Sequence, residues 1–356
     1  MGTHTAIQAP GVSSEIVKKK LIRRTDRDRS QQLRRGFQFT FATLNIFLGI
    51  QFYLWVRYYE TGGTGRYFER PPGVEGWLPI AALMNLKYFV LTGVIPKVHP
   101  AAMFLLVAFL LMSVLMKKAF CSWLCPIGTL SEYLWKAGKR VLGRTVTLPR
   151  WLDIPLRGLK YLLLSFFVII IGRMSAEALA EFLAQPYGII ADVKMLNFFR
   201  HIGGTALAVV VILVVGSMVI QNLWCRYLCP YGALMGLVSL LSPAKIRRET
   251  EPCIDCGKCA KACPQSLPVD KLVVIRSAEC TNCLECVAIC PASGALHLAV
   301  PGRRKLEPWA VAAVIAAFFF GIVGYAKLAG HWRTELPRQV YMELVPNADQ
   351  ETHPGM

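Results

Sequence analysis

Eight of the twelve cysteines lie between positions 253 and 290, in two copies of one spacing. Cys253, Cys256, Cys259 and Cys263 are followed by Pro264, and Cys280, Cys283, Cys286 and Cys290 by Pro291, so each copy reads C-x2-C-x2-C-x3-C-P. Such short steps let one loop wrap three thiolates around a face of an iron-sulfur cube, while the fourth cysteine reaches across to a second cube. The spacing therefore predicts two [4Fe-4S] clusters, one on Cys253, Cys256, Cys259 and Cys290, the other on Cys280, Cys283, Cys286 and Cys263. A zinc ribbon brings its ligands as two pairs and leaves the third cysteine and the proline of each copy without a purpose.

The other four cysteines also repeat a phrase. CSWLCPIGTL begins at Cys121 and CRYLCPYGAL at Cys225, giving C-x3-C-P twice, with Cys125 and Cys229 as the second thiols. The match continues through Pro126, Gly128 and Leu130 in one copy and Pro230, Gly232 and Leu234 in the other. A spacing of i, i+4 puts both thiols of a pair on one helical face, and the proline limits how far that helix continues unbent. Two copies of the same sense imply a parallel repeat about an axis along the membrane normal, with all four thiols near it. The expectation is a further metal centre or a redox thiol group; the competing reading is that cysteine is a small apolar residue suited to close helix packing. Lys117, Lys118 and Arg226 lie near these thiols in sequence and either offset thiolate charge or mark the inner membrane interface.

The elements that carry these groups are apolar helices. With 54% hydrophobic and 17% charged residues, the chain reads as an integral membrane protein. Apolar runs of about 20 residues predict five spanning helices, over 37–56, 98–116, 156–172, 203–224 and 309–328. The stretches 77–95 and 177–199 carry proline, asparagine, lysine or acidic residues and read as interfacial or re-entrant pieces. The net charge of +18 is distributed rather than clustered: with the N-terminus inside, 29 of the 40 basic residues fall in the inner segments. That pattern fits a membrane topology and excludes nucleic acid as the partner. The pair in LRRGFQF resembles a twin-arginine export signal, but the run after it holds Asn45, Gln51, Tyr53 and Trp55 and lacks a small-x-small cleavage site, so a retained first helix is expected.

The predicted fold is thus an α-helical integral membrane protein of about five transmembrane helices with a duplicated two-helix unit, plus an inserted cytoplasmic two-cluster ferredoxin-like α+β domain. Its parts are a basic N-terminal segment (1–36), a membrane core (37–244), the ferredoxin domain (245–307), a last transmembrane helix (308–328) and a short outer tail (329–356).

This combination resembles the membrane polyferredoxin family that includes NapH-type quinol dehydrogenase subunits, NosR-type proteins and CcoG-type proteins. The resemblance spans roughly residues 37–300 and implies electron transfer between the quinone pool or a cytoplasmic donor and a periplasmic redox partner, at a bacterial inner membrane. The CcoG-type branch implies the alternative, a copper reductase or assembly factor for a respiratory metalloenzyme. The 36 residues before the first span are too few for the flavin domain of NosR-type proteins, and only 28 residues follow the last span, too few for the immunoglobulin-like domain of CcoG-type proteins. The fifth helix and the tail HWRTELPRQVYMELVP depart from the four-helix plan of NapH-type subunits. His99, His201 and His331 at the outer span ends are candidates for haem or quinone contact, and Glu177, Glu181, Asp192 and Lys87 for a proton relay from quinol.

Overall fold

The computed structural model describes residues 21–25, 28–146 and 148–353, so most of the basic N-terminal segment lies outside the described residues. The first helix, Ser30–Glu60, is unbroken for 31 residues, roughly 46 Å at the α-helical rise. Arg150–Arg173 and Pro308–Leu328 are likewise long and apolar enough to cross a hydrocarbon layer of about 30 Å.

The other two predicted spans are shorter as helices. Pro100–Met116 has 17 residues, roughly 25 Å. It stops at Lys117, whose φ of 58° is left-handed. Gly204–Val219 has 16 residues and meets Ala191–Arg200 at a bend of 84° across His201–Gly203. Three helices, or four counting the bent pair as one span, therefore meet the length criterion for crossing among the described residues. Pro100–Met116 is buried along most of its length and is the centre of the bundle. Helices Arg150–Arg173 and Gly204–Val219 instead turn Phe166, Ile169, Val211 and Ile212 outward. Exposed apolar stripes of this kind belong against lipid, and the chain is a multi-pass membrane protein.

The interfacial stretches are helical but short: Pro79–Thr92, then Ala176–Ala184, Pro186–Ile189 and Ala191–Arg200. Pro186–Ile189 and Ala191–Arg200 join the far end of the first helix and the tail helix Arg338–Leu344 in a second apolar cluster, where Trp55 packs edge-on to Tyr341 with centroids 5.1 Å apart, while Pro79–Thr92 and Ala176–Ala184 meet in a third around Met84 and Leu179. The tail thus belongs to the folded core. Its Thr334 hydroxyl donates to Glu75 Oε1 at 3.0 Å.

The cysteine-rich part carries a three-stranded antiparallel sheet in the order β1-β2-β3, formed by Lys245–Arg248, Leu296–Ala299 and Lys305–Leu306. Lys245 pairs with Ala299 and Leu298 with Leu306. Two short helices, Lys258–Ala262 and Glu285–Ala288, follow the first cysteines of each motif.

Candidate iron-sulfur sites and the membrane thiol group

Each four-cysteine motif folds the same way. Asp255 and Gly257 in the first, and Asn282 and Leu284 in the second, have φ between 50° and 66°. Left-handed residues alternating with cysteines curl the chain so that successive thiols face one volume. Leu284 tolerates a conformation that costs a side-chain-bearing residue energy. Cys253, Cys256 and Cys259 share one small cavity with Cys290, the last cysteine of the other motif. Cys286 in turn has Cys283, Cys280 and Cys263 as its nearest electrostatic neighbours among the thiols, with Cys259 of the first motif next. Among the described residues no three His, Cys, Asp or Glu side chains converge on a single ion position. A cube distributes its ligands over four irons around a shared volume and so asks for a cavity between thiols.

The C-x3-C-P geometry departs from the i, i+4 expectation. Cys121 lies in the short helix Ala119–Trp123, which ends before Cys125; Cys125 is extended (φ −65°, ψ 119°) and caps the next helix, Pro126–Leu142. In the second copy Cys225 lies in a π turn, Trp224–Leu228, and Cys229 (φ −73°, ψ 104°) caps Pro230–Val238. The two thiols of a pair therefore straddle a helix break instead of sharing a helical face. The cause is in the sequence: a residue before proline is pushed out of the α region, while proline itself suits the first helical position. Cys229 Sγ accepts the Gly232 N–H at 3.3 Å, whereas the Cys125 side chain makes no such cap bond. An N–H-bonded sulfur at a helix N-terminus is placed to be a thiolate. Glycine is required at 128, where a Cβ would overlap the Cys121 carbonyl oxygen; at 232 a Cβ would meet only ordinary contacts.

All four of these thiols border one cavity of about 1160 Å³. It follows the first helix from Phe41 to Gln51, a rise of roughly 15 Å, and reaches Arg70, Trp77 and Trp332 at the other end. Its walls are mainly apolar, with leucine and phenylalanine the commonest side chains. Burial pushes Cys121 up to about 12 and Cys125 to about 11, and raises Cys225 well above the usual range. The thiolate form there needs a metal or a positive charge beside it.

The segment 119–125 lies directly on the loop that starts the second four-cysteine motif. Ser122 Oγ donates to Thr281 O at 2.6 Å, Trp123 Nε1 to Asn282 O at 3.1 Å, and Asn282 Nδ2 to Met116 O at 3.1 Å. Ser122 follows Cys121 and Thr281 follows Cys280, so the membrane thiol group and the Cys280 motif meet through adjacent residues.

Of Lys117, Lys118 and Arg226, only Lys118 lines the thiol cavity. Arg226 is held by Asp153 at 2.7 Å and Ser266 at 3.0 Å, and Lys117 Nζ donates to the carbonyls of Arg276 and Ser277 at 3.2 Å. Arg34 of the paired arginines is 1% exposed, bonded to Glu132 at 2.6 Å and Glu285 at 2.8 Å. It ties the first helix to the helix after Cys125 and to the Cys283–Cys286 turn. Before it, Arg24 donates its backbone N–H to Pro291 O at 3.0 Å.

The outer candidates separate. His99 is fully buried, with Nδ1 3.1 Å from Arg70 Nη2 and Nε2 2.9 Å from Gly188 O. Asp192 and Glu75 each hold Arg70 at 2.7 Å. Lys87 caps the helix Arg150–Arg173 through the carbonyls of Ile171, Gly172 and Met174. His201 is exposed beside Asp349, His331 is half-buried, and Glu177 and Glu181 are exposed. Sequence reading missed the roles of Glu75, Glu132, Lys160 and Glu279. Lys160 had a signal, because a lysine inside an apolar span needs a partner.

Comparison with known proteins agrees with this anatomy. The family model "4Fe-4S binding domain" matches residues 98–145 and 202–249, one match on each C-x3-C-P unit, and "4Fe-4S dicluster domain" matches 245–291. The chain is 52% identical to YccM of Escherichia coli (strain K12), whose name marks it a candidate electron transport protein, over 90% of this chain and 91% of that one. It is 25% identical to the ferredoxin-type protein NapH of the same organism over 49% of this chain and 59% of that one. It is also 31% identical to the regulatory protein NosR of Pseudomonas aeruginosa, over 48% of this chain and 23% of that one. No solved structure matches. The chain belongs to the membrane polyferredoxin-type 4Fe-4S family of which YccM is a member.

Proposed function

We propose that this membrane iron-sulfur electron-transfer protein links a quinone or cytoplasmic donor to a periplasmic redox system at a bacterial inner membrane. In this reading Cys253, Cys256, Cys259 and Cys290 hold one [4Fe-4S] cluster, and Cys280, Cys283, Cys286 and Cys263 a second. Cys121, Cys125, Cys225 and Cys229 hold a further metal centre. Clusters so held supply one-electron sites whose potentials follow the charges and hydrogen bonds around their sulfurs.

The observation that carries the proposal is the contact between ligand loops: Ser122 on Thr281 at 2.6 Å joins the Cys121 loop to the Cys280 loop without intervening solvent. The protein's part is to keep these two groups of thiols adjacent and dry. The long apolar cavity beside the four thiols has the shape and lining for an isoprenoid quinone, which supports the membrane side of the reading. The basic segments favour the ferredoxin part and the N-terminus on the cytoplasmic side and the tail on the periplasmic side.

The test is metal content and redox titration of the full chain in detergent. Wild type should hold more iron than the eight of two cubes. Cys121→Ala and Cys225→Ala should each remove the same extra signal, with little further loss in the double variant, because ligands of one site are not additive. Cys263→Ala should damage the cluster of the Cys280 motif and spare the other. Small additive effects at constant iron would reject the shared centre, and copper bound in place of the extra iron would favour the metal-reductase or assembly reading.

A further inference from the structure

Lys118 stands out among the buried charges because its partner is already engaged. Glu279 receives the Lys160 ammonium on both oxygens at 2.6 Å and the Tyr161 hydroxyl at 3.1 Å. Lys118 Nζ is 3.6 Å from Glu279 Oε2, with its side chain 3% exposed, and Lys160 is fully buried. Two ammonium groups thus share one carboxylate. The neighbouring set does not supply the missing anion: Asp153 is occupied by Arg157, Arg226 and the Tyr227 hydroxyl. One carboxylate between two buried ammonium groups leaves a net positive charge in a dry interior, which is costly and calls for an anion on the other side of Lys118. On that side lies the thiol cavity, which Lys118 lines together with Cys121, Cys125, Cys225 and Cys229. The Lys118 stem also packs against the second copy, with Cε 3.6 Å from the position of a Cβ on Gly232.

The charge of the thiol group then decides between its two chemistries. Four protonated thiols, or two disulfides, are neutral and leave the ammonium unbalanced. Four thiolates on a cluster core of charge two carry a net negative charge and balance it. We propose that Lys118 is the counter-ion of an anionic, thiolate-ligated metal centre at Cys121, Cys125, Cys225 and Cys229, and that it sets how readily this centre accepts an electron. The proposal rests on the metal-centre reading above and adds to it the residue that tunes the site. Because Lys118 also faces Glu279, beside Cys280, the same ammonium lies between the membrane centre and the ligand loop of the second cluster. Its positive charge favours the reduced, more negative state of the centre next to it.

The experiment is a redox titration of the full-length protein, followed by EPR together with iron and sulfide analysis, on wild type, Lys118→Met and Lys118→Arg. Loss of the charge should lower the reduced-to-oxidised ratio of the membrane centre at least tenfold at fixed potential, 59 mV for one electron. Lys118→Arg should stay near wild type, and the cluster with Cys253 should not move. Where methionine is not tolerated, Lys118→Gln gives the neutral comparison at similar length. Loss of the centre in the neutral variants with retention in Lys118→Arg also supports a counter-ion. A full metal complement with unchanged potential in a neutral variant overturns the proposal, as does equal loss in Lys118→Arg, which would mark a packing role. Absence of extra iron in wild type rejects the metal-centre reading itself and takes this inference with it, so the two failures are told apart by the iron count.

Discussion

Replacing Arg34 with methionine tests whether the paired arginines are a structural joint or an export signal. Arg34 is bonded at 2.6 Å to Glu132 and 2.8 Å to Glu285, and Gln31 Oε1 accepts from it at 2.9 Å. Removing one partner of a buried pair costs about 3–5 kcal/mol, because the carboxylates left behind lose their counter-charge. Two features bring the expectation to the lower end, about 3 kcal/mol. Lys136 still reaches Glu285 at 2.9 Å, and Gln38 Nε2 still donates to Glu132 at 3.0 Å. Arg35 is exposed, and its replacement by methionine should change stability by less than about 0.5 kcal/mol. The assay is denaturant unfolding in mixed micelles followed by circular dichroism, alongside cluster absorbance. Adding Glu132→Gln to Arg34→Met should recover part of the loss, since one stranded charge is removed. An export signal predicts instead that both arginines matter equally for delivery and neither for stability. A cost below about 1 kcal/mol for Arg34→Met, or equal costs at 34 and 35, would falsify the joint.

Two further outcomes follow from the same geometry. Burial opposes ionisation of Glu75, but Arg70 and His99 outweigh it and hold the carboxyl at about 2, down from 4.5. A depressed carboxylate contributes stability above its unfolded pKa and loses it as pH falls through the folded one. The deficit of Glu75→Gln should therefore be full at neutral pH and shrink between about pH 4.5 and 2 in pH-dependent unfolding; a deficit that grows on acidification would contradict it. Gly128→Ala should disrupt the Cys121 loop and lower metal content, whereas Gly232→Ala should be tolerated, because only at 128 does a Cβ overlap backbone. Equal metal loss in the two variants would remove the argument from close approach.

The chemistry of this protein is legible in its sequence because it depends on local spacing. The loop that wraps a cube closes within a few residues, so the two four-cysteine motifs and the repeated C-x3-C-P announce themselves without tertiary information. Helix breaks at Cys125 and Cys229 are equally local: Pro126 and Pro230 impose them, and the i, i+4 reading gave the periodicity more weight than the proline rule. Span lengths were less legible. Hydropathy marks apolar runs but does not register the left-handed turn at Lys117 or the 84° bend at His201–Gly203 that shorten two of the helices. The partners of buried charges belonged to the tertiary structure alone. Arg34 meets Glu132 and Glu285 across 98 and 251 positions, and Lys160 meets Glu279 across 119. Which of Lys117, Lys118 and Arg226 faces the thiols was likewise settled only when Asp153, Ser266 and two carbonyls took up the other two. A charge in a low-dielectric interior must find its counter-charge wherever packing brings one, and that distance along the chain is what sequence spacing does not encode.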